Sequence, residues 1–250
     1  MTASATYVYC IVASSTPPPA GAATGLPGTG PVRAIEIKPG RYLVVSDVPM
    51  AELGEAQLAA KMSDLDWVSR AAVAHEGVNE AFMNADAVVP MKLFTLFTSD
   101  ERALDEIRKG WKRVDGLIKR LNKSQEWGVR LVFDESRAPK ASLADGPVSG
   151  RGYLQAKRQQ HEASTRRSST MRKTAGDVIK TLRPMARDVE KRSVTEPPDS
   201  RSRLLLDAAF LVPRAKADRF RKSVEERARK IAPQGYALQL SGPWPPYSFV

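Results

Sequence analysis

The sequence predicts an α+β protein of two domains, each a small mixed sheet with helices packed on it. Three observations point this way. The chain has 250 residues, more than the about 100–150 of a typical domain. Charge is divided unevenly: residues 1–125 hold 14 Lys+Arg and 14 Asp+Glu, whereas residues 126–250 hold 25 and 14, so all of the net +11 lies in the second half. Strand-like and helix-like periodicities alternate irregularly, with an early hairpin, which fits two α+β domains better than a doubly wound parallel sheet. The predicted domains are residues 1–125 and a basic domain of residues 126–250 that ends in a Pro/aromatic tail.

Residues 6–12 are aromatic and β-branched and predict a buried strand. Residues 14–31 collect prolines and glycines, which favour turns and remove ladder donors, so they predict a surface connection. Residues 32–37 and 41–47 predict two strands joined as a hairpin across Pro39-Gly40. Over residues 66–83 the period becomes helical, with Val68, Ala71, Ala72, His75, Val78 and Phe82 on one face. Residues 88–97 return to a strand. Thr98-Ser-Asp-Glu101 has the form of a capping box, opening one helix with Leu104, Ile107, Trp111, Val114, Ile118 and Leu121 inward.

Residues 126–134 predict a strand and residues 135–150 a polar loop. A long basic helix follows, solvated from 155 to 172 and amphipathic through Met171, Ala175, Val178, Leu182, Met185 and Val189, with Pro184 as an interruption. Residues 196–200 form a break. Residues 204–212 predict a buried strand, and 216–232 a helix with Ala217, Phe220, Val224, Ala228 and Ile231 inward. Residues 236–240 predict a last strand. No internal repeat is visible.

The composition excludes several classes of function. Hydrophobic residues at 42% and charged residues at 27% are ordinary globular usage. No run of about 18 apolar residues exists and the start lacks the pattern of a secretory leader, so a cytoplasmic protein with no membrane segment is expected. One cysteine, Cys10, and two histidines leave no thiol-rich metal site. His75-Glu76-Gly-Val-Asn79 approaches the His-Glu-x-x-His zinc pattern, but Asn79 stands in place of the second ligand. His75 lies on the apolar helix face and is read as a hydrogen-bonded core histidine. Gly25-Leu-Pro-Gly-Thr-Gly30 lacks the following helix and the Lys-Ser/Thr of a phosphate loop and is read as a linker. Cys10, in an apolar strand, is read as an inert thiol. The chain is therefore not expected to be an enzyme, and no catalytic, cofactor-binding or metal-binding residue is assigned.

Two features remain as candidate partner-binding sites. Residues 151–192 hold 12 basic and 4 acidic side chains, and Arg158, Arg166, Arg167, Arg172 and Lys173 are candidates for contact with an acidic protein. The alternative is a basic nucleic-acid-binding module using residues 151–192. Binders of single strands also need aromatic stacking platforms, and only Tyr153 is near, so the protein partner is preferred. In the tail, Trp244, Tyr247 and Phe249 alternate with prolines. Their large apolar area calls for a specific contact, either by folding back to seal the second domain or by docking a partner; the fold-back is the preferred reading.

The ending Ser241-Gly-Pro-Trp-Pro-Pro-Tyr-Ser-Phe-Val250 resembles the C-terminal signature of the GvpL/GvpF family of gas vesicle proteins. Other blocks resemble that family in the same order: Tyr7-Val-Tyr-Cys-Ile-Val12, Ala74-His75-Glu76, Val89-Pro90, Glu126-Trp-Gly-Val129, Gly152-Tyr-Leu154 and Ala208-Ala-Phe-Leu-Val212. The chain departs from the family pattern at Cys10, where Gly is usual. It departs again at Pro90-Met-Lys-Leu-Phe-Thr95, where the pattern is Pro-Val/Leu-Arg-Phe-Gly-Thr. The resemblance implies a loosely ferredoxin-like fold and a non-enzymatic accessory or minor structural protein, cytoplasmic and associated with gas vesicles. Its implied partners are the hydrophobic shell protein, whose assembly it assists, and other accessory gas vesicle proteins.

Overall fold

The computed structural model describes residues 4–19, 21, 23–50, 55–138, 150–193 and 202–250. The chain forms two compact units, Met1–Glu126 with Trp244–Val250, and Trp127–Pro243. The sequence reading put the tail in the second domain; the structure puts it in the first unit.

Unit 1 is built on a five-stranded sheet. Its strands are β1 (Ser4–Ala13), β2 (Arg33–Lys38), β3 (Arg41–Pro49), β4 (Ala87–Pro90) and β5 (Leu96–Phe97), in the order β2-β3-β1-β4 with β5 also on β1. β1 is antiparallel to β3, β4 and β5, and β2 is antiparallel to β3 across the Gly40 turn, where φ is +71°. Successive strand residues face opposite sides of a sheet. Every residue of β1 from Ala5 to Ala13 is buried, so both faces of this central strand are covered. The unit's helices are α1 (Glu55–Lys61), α2 (Leu65–Ala81), α3 (Asp100–Lys109) and α4 (Trp111–Leu121).

The connection over residues 14–31 lies at the surface as expected, with Leu26 buried against the sheet and Val32 buried just after it. Leu26 N donates to Tyr9 Oη at 3.0 Å and Gly30 N to Asp47 O at 2.7 Å, so even the backbone of this segment is satisfied by the sheet. The sequence expectations for this unit need three corrections. The predicted strand over residues 88–97 is split by a turn, because Pro90 cannot donate and Phe94 adopts φ +63°. The helix cap is Ser99, not Thr98; its Oγ accepts from Arg102 N at 3.3 Å. Asp100 explains the choice, because it receives Arg33 Nη1 at 2.9 Å and Thr6 Oγ1 at 2.7 Å, pinning the first helical residue to the sheet. Burial raises the Asp100 pKa, but these hydrogen bonds outweigh it and hold the carboxyl below its usual value. Finally, the single predicted helix is two, α3 and α4, separated at Gly110.

Unit 2 is built from β6 (Ser124–Asp134, from Trp127 on), α5 (Gly150–Leu182), β7 (Asp188–Lys191), β8 (Ser202–Pro213), α6 (Ala217–Ile231) and β9 (Tyr236–Trp244, up to Pro243). The sequence of elements is βαββαβ and the strand order is β7-β8-β6-β9, the ferredoxin-like arrangement. Alternate residues of β6 (Trp127, Val129, Leu131, Phe133) and β8 (Leu206, Ala208, Phe210, Val212) form its core with Val178, Leu182, Phe220 and Val224 of the helices. The amphipathic helix ends earlier than predicted. Pro184 lies in a 3₁₀ turn, Arg183–Met185, and Val189 is a β7 residue opposite Phe210. The break expected at 196–200 and most of the loop expected at 135–150 lie outside the described residues.

The sheet of unit 1 has the same order, β2-β3-β1-β4. Its first crossover is the Pro/Gly segment instead of a helix. The sequence shows no repeat because that replacement removes one of the two helical periodicities that would have matched.

Phe94 has a left-handed backbone, which costs an L residue about 1–2 kcal/mol, and its ring stacks on Trp67 at 5.4 Å and 9°. Phe94→Gly and Phe94→Ala lose the ring equally, but only glycine relieves the backbone. In urea titrations the glycine variant is expected to be the more stable by about 1 kcal/mol; equal midpoints would contradict the strain.

Candidate functional site

The tail of unit 1 is bound like a peptide ligand. Pro245 and Pro246 are buried, and the chain then makes a 3₁₀ turn, Tyr247–Phe249. Phe249 is 1% exposed. Arg120 of α4 donates to the Phe249 carbonyl at 3.0 Å and lies 5.5 Å from the centre of its ring. Glu126, itself buried, accepts from Ser248 N and Ser248 Oγ, both at 2.8 Å. Tyr247 Oη accepts from Asn79 Nδ2 at 2.6 Å and is hydrogen-bonded to the carboxylate of Glu76. Burial raises the pKa of Glu76, against the Tyr247 hydrogen bond that lowers it, and nearby Glu80 and Glu126 add to the rise. Tyr247 is also shifted upward, first by burial and then by Glu76.

One helical turn away, His75 is hydrogen-bonded on both sides. Tyr7 Oη lies 2.8 Å from Nδ1 and Met91 O lies 3.1 Å from Nε2. A carbonyl can only accept, so Nε2 carries the proton and Nδ1 accepts from Tyr7. Tyr7 Oη in turn accepts from Phe94 N at 3.2 Å. Burial lowers the His75 pKa, against the Met91 hydrogen bond. Cys10 is fully buried and its thiol pKa is pushed up by that burial. Among the described residues no group of three or more His, Cys, Asp or Glu is placed to hold a metal ion.

Between α2, the 91–95 turn and the tail lies a cavity of about 390 Å³. Ala72, Pro90, Met91 and Leu93 give it apolar walls, and Glu76 and Lys92 supply charge. On the solvent side of α2, Leu65 is 79% and Val73 is 73% exposed, and Met62 just before the helix is 55% exposed. Scattered surface apolar residues are ordinary; Leu65 and Val73 stand eight residues, about two turns, apart on α2, the helix whose other face supplies a wall of the cavity.

The residues singled out from the sequence fall into two separate places. Arg158, Arg166, Arg167, Arg172 and Lys173 are exposed along α5. Arg158 pairs with Glu162 at 3.4 Å and Arg167 pairs with Glu135. Trp244, Tyr247 and Phe249 lie in unit 1. The tail therefore folds back, but onto the first unit instead of the second, because the polar groups that answer its backbone and hydroxyls belong to residues up to 126. Phe249 is committed to that interior, whereas Trp244 stays 40% exposed. Asn79, Glu76, Glu126 and Arg120 were not anticipated as the seat. The failed zinc pattern held a signal, since its Glu and Asn lie three residues apart on one helix, and Glu126 is a buried carboxylate at the start of a largely apolar strand.

Two units with the same strand order in one chain, the first holding residues 244–250 against its helices, define the class: a two-unit α+β protein with an apolar cavity in its first unit. A family profile described as gas vesicle synthesis protein GvpL/GvpF matches residues 5–250. The chain belongs to this family. It is 31% identical over 218 residues to gas vesicle protein L of Streptomyces sp. (strain CB03234), covering 82% of this chain and 78% of that protein. It is 29% identical over 256 residues to gas vesicle protein F of the same organism, covering 98% and 99%. The crystal structure of GvpF from Anabaena sp. PCC7120 superposes with a TM-score of 0.68 at 18% identity, covering 98% of this chain and 95% of that one. GvpF from Microcystis aeruginosa gives 0.67 at 16%, covering 98% of each. At these identities the likeness shows the fold. Phe94 occupies the position where the family pattern has glycine, and it keeps the glycine-like backbone.

Two outcomes test the tail seat. Phe249→Ala should destabilise the protein by about 3–5 kcal/mol, as for other buried Phe truncations. In hydrogen exchange the protection lost first should be that of α2 and α4; early loss confined to β8 and α6 would contradict the assignment. The Glu76 carboxyl has a raised pKa in the folded state, so its contribution to stability is fully present below its unfolded value near 4.5 and is lost as pH rises through the raised folded value. Glu76→Gln should therefore gain stability relative to the parent as pH rises from 4 towards 8, measured by urea unfolding across about that range. A difference independent of pH would contradict the buried charge.

Proposed function

We propose that the protein is a non-catalytic accessory factor of gas vesicle formation that binds the hydrophobic shell subunit and assists its assembly, in the cytoplasm and at the growing vesicle. Membership of the GvpL/GvpF family supports the setting. The observation that carries the binding role is the apolar cavity of unit 1, with Leu65 and Val73 exposed on α2, the helix that supplies one of its walls. A shell subunit exposes apolar surface and strand edges before it is incorporated, and a protein that covers them suppresses off-pathway association. Basic α5 side chains assist by steering. Exposed ion pairs contribute only about 0–1 kcal/mol each, so they act on the association rate more than on affinity.

The test is retention of purified shell subunit on immobilised full-length protein. Leu65→Glu with Val73→Glu changes only well-exposed positions and should weaken retention about tenfold or more. Reversing Arg158, Arg166 and Lys173 should slow association and flatten its salt dependence while dissociation stays nearly unchanged. No retention by the parent protein at low salt would overturn the proposal.

A further inference from the structure

Unit 2 has a second cavity, of about 290 Å³, between α5 and the strands β7 and β8. On α5, Arg172, Ala175, Gly176 and Ile179 follow one another at helical spacing and share one face. Met171 and Leu206 are buried beneath, and Leu205 and Ile179 are half-buried, so the floor is aliphatic. Arg172, Lys191 and Arg192 bring three cations to the rim. Gly176 keeps the groove open, since a Cβ added there meets no atom within 4 Å.

Asp207 lines the same cavity and is 6% exposed. Its Oδ2 accepts from Arg130 Nε at 2.9 Å, whereas Oδ1 accepts no hydrogen bond among the described residues and faces Arg192 Nη1 at 3.6 Å. A buried acceptor without a donor is costly, and a ligand that supplies an N–H or O–H removes that cost.

We infer that this groove binds an acidic segment of a partner protein in which carboxylates flank an aliphatic side chain. The aliphatic group fills the floor, the carboxylates meet Arg172, Lys191 and Arg192, and a backbone N–H reaches Asp207 Oδ1. Charge complementarity favours this occupant, since residues 151–192 hold 12 basic and 4 acidic side chains. A nucleic acid fits less well. Among the described residues no aromatic side chain lines the groove for base stacking, and the Asp207 carboxylate opposes a phosphate. The groove shares no residue with the unit 1 cavity and its test uses no shell subunit, so the two proposals can fail separately.

The experiment is fluorescence anisotropy on the full-length protein. The probe is a fluorescein-labelled peptide of alternating Glu and Leu, compared with one in which Ser replaces every Leu, and with a poly-dT oligonucleotide. The Glu/Leu peptide should bind about tenfold or more tightly than the Glu/Ser peptide. Gly176→Phe fills the groove without altering charge and should weaken Glu/Leu binding by at least about tenfold, whereas Gly176→Ala should change it little. The double variant Arg172→Glu, Lys191→Glu, at two exposed positions, should weaken it as much and keeps the test valid if the Phe variant does not fold. Equal binding of both peptides, tighter binding of the oligonucleotide, or indifference to the charge reversal would each overturn the inference.

Discussion

A fully buried neutral imidazole has one donor and one acceptor, and satisfying both shapes unit 1. His75 directs its donor to the Met91 carbonyl and its acceptor to the Tyr7 hydroxyl, which then takes the Phe94 amide. One side chain of α2 thereby fixes the central strand and both ends of the turn after β4. Closing that turn within so few residues requires a left-handed position, and Phe94 holds it although it is not glycine. The Trp67 stack offsets part of the cost. The same turn forms a wall of the apolar cavity, so the network also sets that cavity's shape.

The two units solve one topological problem in two ways. In unit 2 the first crossover is α5, whose stripe from Met171 to Leu182 covers the sheet. In unit 1 the crossover has no helix, and Leu26 and Val32 do the covering as single plugs. A helix satisfies its own backbone, but a plug segment must borrow partners, which is why Tyr9 Oη and the Asp47 carbonyl receive amides from it. Gly25 is needed there because a Cβ would come within 2.6 Å of Tyr9 Oη.

How much of this was legible in the sequence depended on whether the signal was periodic. The β1 run, the Gly40 hairpin, the α2 face and, in the second half, β6, α5, β8, α6 and β9 all carry a repeating apolar pattern, and each formed near its predicted place; β7 is too short to show one, and its Val189 reads as the end of the preceding helix. The failures lie where a single residue decides. Gly110 divides α3 from α4 and Phe94 divides β4 from β5, and neither changes the period around it. The cap moved from Thr98 to Ser99 because Arg33 and Thr6, distant in sequence, hold Asp100. The cation-rich α5 was visible as composition. Its groove was not, because Asp207 and Leu206 come from a strand that shows only burial.

The tail is the clearest case of a contact that composition announces but cannot place. Three prolines and three aromatics have no period, so their apolar area fits either core equally well. The choice falls to polar groups that must be answered: the Ser248 amide and hydroxyl, the Phe249 carbonyl and the Tyr247 hydroxyl. Glu126, Arg120, Asn79 and Glu76 answer them, and all four belong to unit 1. A buried carboxylate such as Glu126 is tolerated only with such donors, so the tail and its seat depend on each other. With Phe249, Pro245 and Pro246 enclosed, the tail's accessible aromatic area lies in Trp244, 40% exposed, and in Tyr247, which lines the cavity. In the proposed role, apolar docking falls to the cavity wall and the exposed face of α2, which charge substitutions can alter without opening the core.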